Sequence, residues 1–298
     1  MNNDIFLKNV AILSKVSEEE ERATPAKGIP LPSVEALRDI VELVKVIVFP
    51  GFFDRRQTDS NIRSYHIGVN MERLFALLQQ QICLALLSEE AENGGTGERN
   101  AKKMALRIID RLPEIKRLLY TDVEAIFNDD PSVSNISEVI FCYPVVEAML
   151  HYRVAHEILS MDVPVIPRII TEQAHAKTGI DIHPGAQIGE FFSIDHGTGV
   201  VIGETCVIGN HVTLYQGVTL GAKNFKLDSI GRPLNVPRHP IIEDNVTVYS
   251  NSTLLGRITI GHDTVIGGNI WVTNSVPPHS KILQSKALDV SFTGGLGI

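Results

Sequence analysis

From Ile182 to Val276 an aliphatic residue returns every six positions, and the residues between are mostly polar or glycine. Three runs carry the pattern. They are Ile182, Ile188 and Ile194; then Ile202, Ile208, Leu214 and Leu220; then Ile242, Val248, Leu254, Ile260, Ile266 and Val272. A period of six matches neither the helical repeat nor the two-residue alternation of a simple strand. It predicts a parallel β-helix, a coil of short strands whose anchors point inward and stack on those of neighbouring turns. The spacing from Ile170 through Ala176 to Ile182 is also six, which extends the expected coil backward.

The rhythm breaks twice. Ile194 and Ile202 are eight apart, so D-H-G-T-G-V-V carries two extra residues, and a long polar and basic segment separates Leu220 from Ile242. Solenoids place insertions on one face, often the binding face. Asp195, His196, Arg238 and His239 all fall at these breaks.

Upstream the apolar spacing is helical. Ser33 is placed to cap V-E-A-L-R-D-I-V-E-L-V-K-V-I-V-F, which stops at Pro50-Gly51. A second helix is expected over Tyr65–Glu90, ended by N-G-G-T-G, and a third over Glu98–Leu112. Pro113 suits the first turn of another helix reaching Tyr120, and Thr121 with Glu124 has capping-box spacing for a short one through Phe127. A last helix runs over Ser137–Ser160, kinked or restarted at Pro144. Glu18–Glu21 reads as a solvated helix face, and Thr24–Pro32 as a linker. The expected organisation is a helical domain over 1–161, a coil over 162–276 with an inserted loop at 221–241, and a tail over 277–298.

Composition narrows the function. With 298 residues, 44% hydrophobic and 21% charged, the chain reads as globular; a net charge of −8 argues against a general nucleic-acid surface. Cys83, Cys142 and Cys206 are odd in number and widely spaced, which fits a reducing cytoplasm better than a disulfide framework. No secretory leader and no run of membrane-spanning length is evident. The ten histidines include no H-x-x-H or H-x-x-x-H pair, so no metal is expected.

The residues at the breaks suit acid–base chemistry on a small zwitterion. His196 can take a proton from a hydroxyl if a carboxylate orients its ring, and Asp181 and Glu204 are both candidates for that part. Arg238, beside His239, can hold a substrate carboxylate by two parallel hydrogen bonds. Asp130, in D-D-P-S-V, and Asp195 would suit an ammonium group if the fold joined them.

The text D-I-H-P-G-A-Q-I-G, I-D-H-G-T-G-V-V-I-G-E-T, Q-G-V-T-L-G, R-H-P and V-P-P-H, with D-P-S-V and Y-P-V-V-E-A-M-L-H-Y-R-V-A-H upstream, resembles the serine acetyltransferases of the hexapeptide-repeat acyltransferase superfamily. The resemblance runs from about Asp129 to Ser280 and more loosely through the N-terminal helices. It implies an α+β chain: an all-helical domain, a left-handed parallel β-helix and a flexible C-terminal tail. It also implies a homotrimer, or a dimer of trimers, with active sites between coils. The implied reaction joins L-serine and acetyl-CoA into O-acetyl-L-serine and CoA, the first step of cysteine biosynthesis, by direct attack and with no permanently bound cofactor.

By the same resemblance His196 is the general base and Asp181 its partner, with His239 also catalytic. Asp130 and Asp195 receive the serine ammonium, Arg238 and His239 face its carboxylate, and Glu204 is a further polar residue of the site. Acetyl-CoA is expected near Gly221, Ala222, Lys223, Ser250 and Gly268, with cysteine as feedback inhibitor. The ending G-G-L-G-I resembles a tail that docks into O-acetylserine sulfhydrylase through its terminal isoleucine, here Ile298. The segment A-K-N-F-K-L-D-S-I-G-R-P-L-N-V-P is longer and more basic than the family's short glycine-rich loop, and brings Lys223 and Lys226 toward CoA phosphates. The competing readings are an O-acetyltransferase for another hydroxyl acceptor, a non-catalytic scaffold for the sulfhydrylase, and a zinc enzyme on a β-helix.

Overall fold

The computed structural model describes residues 2–23, 31–53, 60–90, 97–224, 227–231, 234 and 236–284. Among the described residues the helices are α1 (Asn2–Leu13), α2 (Glu18–Ala23), α3 (Val34–Val48), α4 (Ser60–Glu90), α5 (Gly97–Asp129), α6 (Ile136–Cys142), α7 (Pro144–Leu159) and α8 (Ile166–Thr178). No described helix is long and apolar enough to cross a membrane.

The coil follows as three parallel sheets. Sheet 1 stacks β1 (Asp181–Ile182), β4 (Val201–Ile202), β7 (Thr219–Gly221), β10 (Thr253–Leu255) and β13 (Trp271–Val272). Sheet 2 stacks β2 (Gln187–Ile188), β5 (Val207–Ile208), β8 (Ile241–Ile242) and β11 (Thr259–Ile260). Sheet 3 stacks β3 (Ser193–Asp195), β6 (Thr213–Tyr215), β9 (Thr247–Val248), β12 (Val265–Ile266) and β14 (Lys281–Ile282). The result is a left-handed parallel β-helix.

The anchors pair in register, as their period predicts. Ile182, Ile202 and Leu220 form one buried column, which Leu254 and Val272 continue. Ile188, Ile208, Ile242 and Ile260 form the second, and the third is Ile194 with Leu214 and Val248 with Ile266. A second inner layer lies two residues before each anchor, including Ala186, Phe192, Cys206, Val212 and Val246. Hydrophobic burial of this kind is the main stabilising term of a solenoid, each aliphatic side chain contributing about 1.5–3 kcal/mol.

The helical half departs from the sequence reading in two places. Residues 97–129 form one helix through Pro113. The buried stripe Ile108, Leu112, Ile115, Leu119, Val123 and Ile126 continues across the proline, and packing outweighs the lost hydrogen bond. Thr121 caps nothing; its hydroxyl donates to Leu118 O (2.7 Å). The six-residue spacing from Ile170 is also not coil. Ile166, Ile170 and Ala174 are the buried stripe of α8, which ends at Gly179 in a left-handed cap (φ 72°). The coil therefore begins at Asp181, and it continues past Val276 to β14. Elsewhere Ser33 does cap α3, accepting from Ala36 N, and Pro144 restarts the chain as α7.

One buried ion pair joins the two halves. Arg153 of α7 meets Asp122 of α5 at 2.9 Å, their side chains only 5% and 2% exposed. The same guanidinium donates to Ile188 O (2.9 Å) and Gly189 O (2.8 Å) in the first turn of the coil. Burial raises the Asp122 carboxyl to about 6, and the neighbouring Arg153 opposes that rise. Tyr152 Oη donates to Ala186 O (2.7 Å), and His156 Nδ1 to Pro184 O (2.8 Å). Arg153→Ala strands a buried carboxylate and two carbonyls, so chemical denaturation should show a loss of about 3–5 kcal/mol. The paired change Arg153→Met with Asp122→Leu should recover most of it.

Candidate active site

The corner joining sheet 3 to sheet 1 gathers the carboxylates. His196 follows β3 directly, with its backbone in the left-handed region (φ 57°) and its side chain 75% exposed. Gly197 (φ 86°) makes the turn possible, because a Cβ there would lie 2.6 Å from Ile180 Cδ1. His196 Nε2 stands 3.9 Å from Asp195 Oδ1. Asp130 reaches the same place from the end of α5, and one small cavity is lined by Asp129, Asp130, Tyr143, Ser193, Asp195 and Tyr215. Asp130 accepts from Tyr143 Oη (2.6 Å), Ser132 Oγ (2.7 Å) and Ser132 N (2.8 Å). The Tyr143 bond is the largest of the influences that lower its pKa, with the Ser132 bonds next and His196 adding to them.

The next corner, from sheet 1 to sheet 2, holds the basic group. Here the inserted segment rejoins the coil. Thr205 Oγ1 accepts from Arg238 N (2.9 Å) and His239 N (3.1 Å), fixing the return. Arg257 Nη1 donates to Thr205 O (2.6 Å) and His239 O (3.0 Å). Arg238 Nη2 donates to Glu204 Oε2 (2.5 Å). His239 is only 7% exposed and lies against Gly203, where a Cβ would fall 2.0 Å from its ring. Its Nδ1 accepts from Thr205 N (3.1 Å), so the neutral ring carries its proton on Nε2. Burial, then the Arg238 charge, pushes the imidazole down to about 4.

Within one chain, then, Asp130, Asp195 and His196 stand together, while Glu204, Arg238 and His239 stand at another corner of the same sheet. The expected nucleotide contacts divide in the same way. Ser250 and Gly268 stack on successive turns of the His196 corner, a Cβ at Gly268 lying 3.2 Å from Ser250 O. Gly221, Ala222 and Lys223 lead into the His239 corner. Asp181 lies on β1 with Glu172 and His175 of α8 close by, their donor atoms within 4.8 Å of one another. Among the described residues no hydrogen bond joins it to His196. Lys226 and Ile298 lie outside the described residues.

Several residues that shape the site are given no role by the sequence reading. Tyr143 and Ser132 orient Asp130, and Thr205 and Arg257 fix His239. Asp129 Oδ2 accepts from Ser193 Oγ (2.5 Å) and Thr213 Oγ1 (2.9 Å), which fastens the end of α5 to sheet 3. Ser132, Tyr143 and Thr205 lie within D-P-S-V, Y-P-V-V and I-G-E-T, but what each side chain holds is set by the fold and not by spacing. The coil's cysteine takes no part, because burial pushes the Cys206 thiol up to about 12 and leaves no thiolate. A larger cavity of about 750 Å³ between α3, α7 and α8 contains none of these residues.

A parallel coil of hexapeptide turns, with an imidazole and carboxylates at one corner and an arginine and a second imidazole at the next, defines an acyltransferase of the hexapeptide-repeat class. No family model matches the chain. A serine acetyltransferase of Synechococcus elongatus, plasmid-encoded, is 44% identical over 276 residues, 90% of this chain and 86% of the relative. The serine acetyltransferase of Bacillus subtilis is 40% identical over 167 residues, 56% of this chain and 73% of the relative. Among solved structures, Entamoeba histolytica serine acetyltransferase isoform 3 in complex with cysteine superposes with a TM-score of 0.72 at 34% identity, covering 86% of this chain and 84% of that one. The chain belongs to the serine acetyltransferase family.

The depressed pKa of His239 is directly measurable. An imidazole whose pKa falls on folding stays neutral between its ordinary value and the lowered one, and its contribution to stability, complete above about 6.5, is lost as pH falls toward 4. Histidine NMR should show one ring, absent in His239→Gln, that remains neutral at pH 5.

Proposed function

We propose that this chain carries out its family's reaction at seams between neighbouring copies, where the His196 corner of one coil meets the His239 corner of the next. The observation that supports this is the division itself: the base and the carboxylates stand on one edge of sheet 1, the arginine and second imidazole on the other. A closed ring joins unlike edges head to tail, and a three-sided coil suits a trimer. A further dimer of trimers would form through the helical half. The same reading divides the chain into a helical unit that ends with α8, a catalytic coil from β1 to β14 with its insertion at 221–241, and a C-terminal tail. The setting is the cytoplasm.

At the seam Asp130 and Asp195 receive the serine ammonium. Arg238, oriented by Glu204, and the Nε2–H of His239 face the carboxylate across the gap. His196 takes the hydroxyl proton, with Asp181 steadying the ring once the seam closes. The serine oxygen attacks the thioester carbonyl of acetyl-CoA, the new C–O bond forms, the C–S bond breaks, and the proton passes from His196 to the departing CoA sulfur. Gly221, Ala222 and Lys223 on one wall and Ser250 and Gly268 on the other would hold the CoA, with Lys226 near its phosphates. Cysteine shares the substrate's zwitterion and acts as feedback inhibitor; the Entamoeba relative solved with cysteine supports this. Ile298 docks the tail into O-acetylserine sulfhydrylase.

Serine-dependent CoA release, followed by thiol detection with and without cysteine, tests the reading. His196→Ala should lose on the order of 10²–10⁴ in kcat, and His239→Ala should also be strongly impaired. Mixing the two dead variants separates seam sites from single-chain sites. Random trimers regain about a quarter of wild-type activity if each site draws on two chains, and none if one chain holds the whole site. Deleting Ile298 should leave turnover unchanged and weaken capture of the sulfhydrylase in a pull-down.

A further inference from the structure

The corner joining sheet 2 to sheet 3 carries a ladder unrelated to the chemistry above. Phe191, His211, Asn245, Asp263 and His279 occupy the same position on five successive turns, all with left-handed backbone (φ 53° to 59°). Each side chain thus stands over the next. Phe191 and His211 stack with ring centroids 4.4 Å apart, and Asn245 Nδ2 donates to Asp263 Oδ1 (3.2 Å).

The last rungs differ in kind. His262, next to Asp263, places its Nδ1 2.7 Å from Asp263 Oδ2, and His279 brings its Nδ1 to 3.6 Å from the same oxygen. The two imidazoles meet edge to face, with centroids 4.8 Å apart and an interplanar angle of 87°. Donor atoms from all three residues lie within 4.8 Å of one another.

The backbone holds this arrangement. His279 N donates to His262 O (2.9 Å), and His262 N donates to Glu243 Oε2 (2.8 Å). Asn245 engages one Asp263 oxygen and leaves the other facing both rings.

We propose that His262, Asp263 and His279 bind a divalent transition ion of the zinc type, which clips the last turn of the coil to the one before it. Two imidazole nitrogens and one carboxylate form a borderline donor set that suits Zn²⁺, Co²⁺ or Ni²⁺ and not the oxygen-only preference of Mg²⁺ or Ca²⁺. The open side admits solvent as the remaining ligand. The donors come from consecutive turns, 262 and 279 in sequence, and so escape any search for closely spaced histidine pairs. The site departs from the expectation that the chain holds no metal.

The clipped segment matters because residues 276–282 close the end of the coil. Val276 N donates to Thr259 O, and Val265 N to Ser280 O. An ion bound only by the folded turns stabilises them by linkage. Among the described residues a second group of donors, Glu172 with His175 and Asp181, offers a single imidazole, and Glu172 is already engaged by Arg168.

The test uses the full chain stripped with a chelator. Co²⁺ titration followed by visible absorption should give ligand-field bands at one ion per chain, and Zn²⁺ should displace the Co²⁺ and raise Tm. His262→Ala and His279→Ala should each weaken Zn²⁺ binding at least on the order of tenfold, while His211→Ala, lower on the same ladder, binds as wild type. Serine-dependent CoA release should be unchanged in all three variants, which shows that they fold. Equal Zn²⁺ affinity in wild type and the His262→Ala/His279→Ala double variant would overturn the site, as would loss of binding in His211→Ala alone.

Discussion

The guanidinium of Arg153 is the joint on which the arrangement depends. It lies where α5, α7 and the first turn of the coil meet, paired with Asp122 and donating to two coil carbonyls. A buried cation is tolerated only when its donors are satisfied, so each of these elements has one permitted position relative to the others. Asp130 lies two helical turns beyond Asp122 on the chain. The joint therefore determines where Asp130 arrives, and the Asp129 bonds to Ser193 and Thr213 complete the placement.

The coil supplies the complementary constraint. Six residues per face and three faces per turn leave the interior filled by aliphatic columns, so side chains with chemistry must stand on faces or at corners. Corners are where the backbone takes left-handed conformations and where extra residues leave without breaking the sheets. His196 uses the two-residue insertion at one corner, and Arg238 with His239 uses the long insertion at the next. Because the two corners flank one sheet, a single coil carries the His196 group along one edge of sheet 1 and the Arg238 and His239 group along the other.

Much of this was legible in the chain. The columns of sheet 1, sheet 2 and sheet 3 follow from the positions of Ile182, Ile188 and Ile194 and their repeats, because register in a coil of constant turn length is set by counting. The N-cap at Ser33 and the restart at Pro144 were readable for a local reason, since each acts within four residues. Pro113 and Thr121 misled because a continuous buried stripe outweighed two local stop signals. Ile170 misled because spacings of four and six coincide on a short segment, and only contact with α7 and α3 decides for the helix.

What the sequence determined by itself was the periodic core and the two places where that core is interrupted, since both follow from residue counting and hydrophobic burial. It also supplied His196, Asp195, Arg238 and His239 as residues suited to proton transfer and zwitterion binding. Only the tertiary structure decided that Asp130 joins Asp195 and His196 while Arg238 and His239 stand at another edge, that Thr205 sets the tautomer of His239, and that His262 and His279 converge on one carboxylate. The physical reason is the same each time: these contacts join residues on different turns or different halves, and their distances are set by packing, which no local spacing encodes.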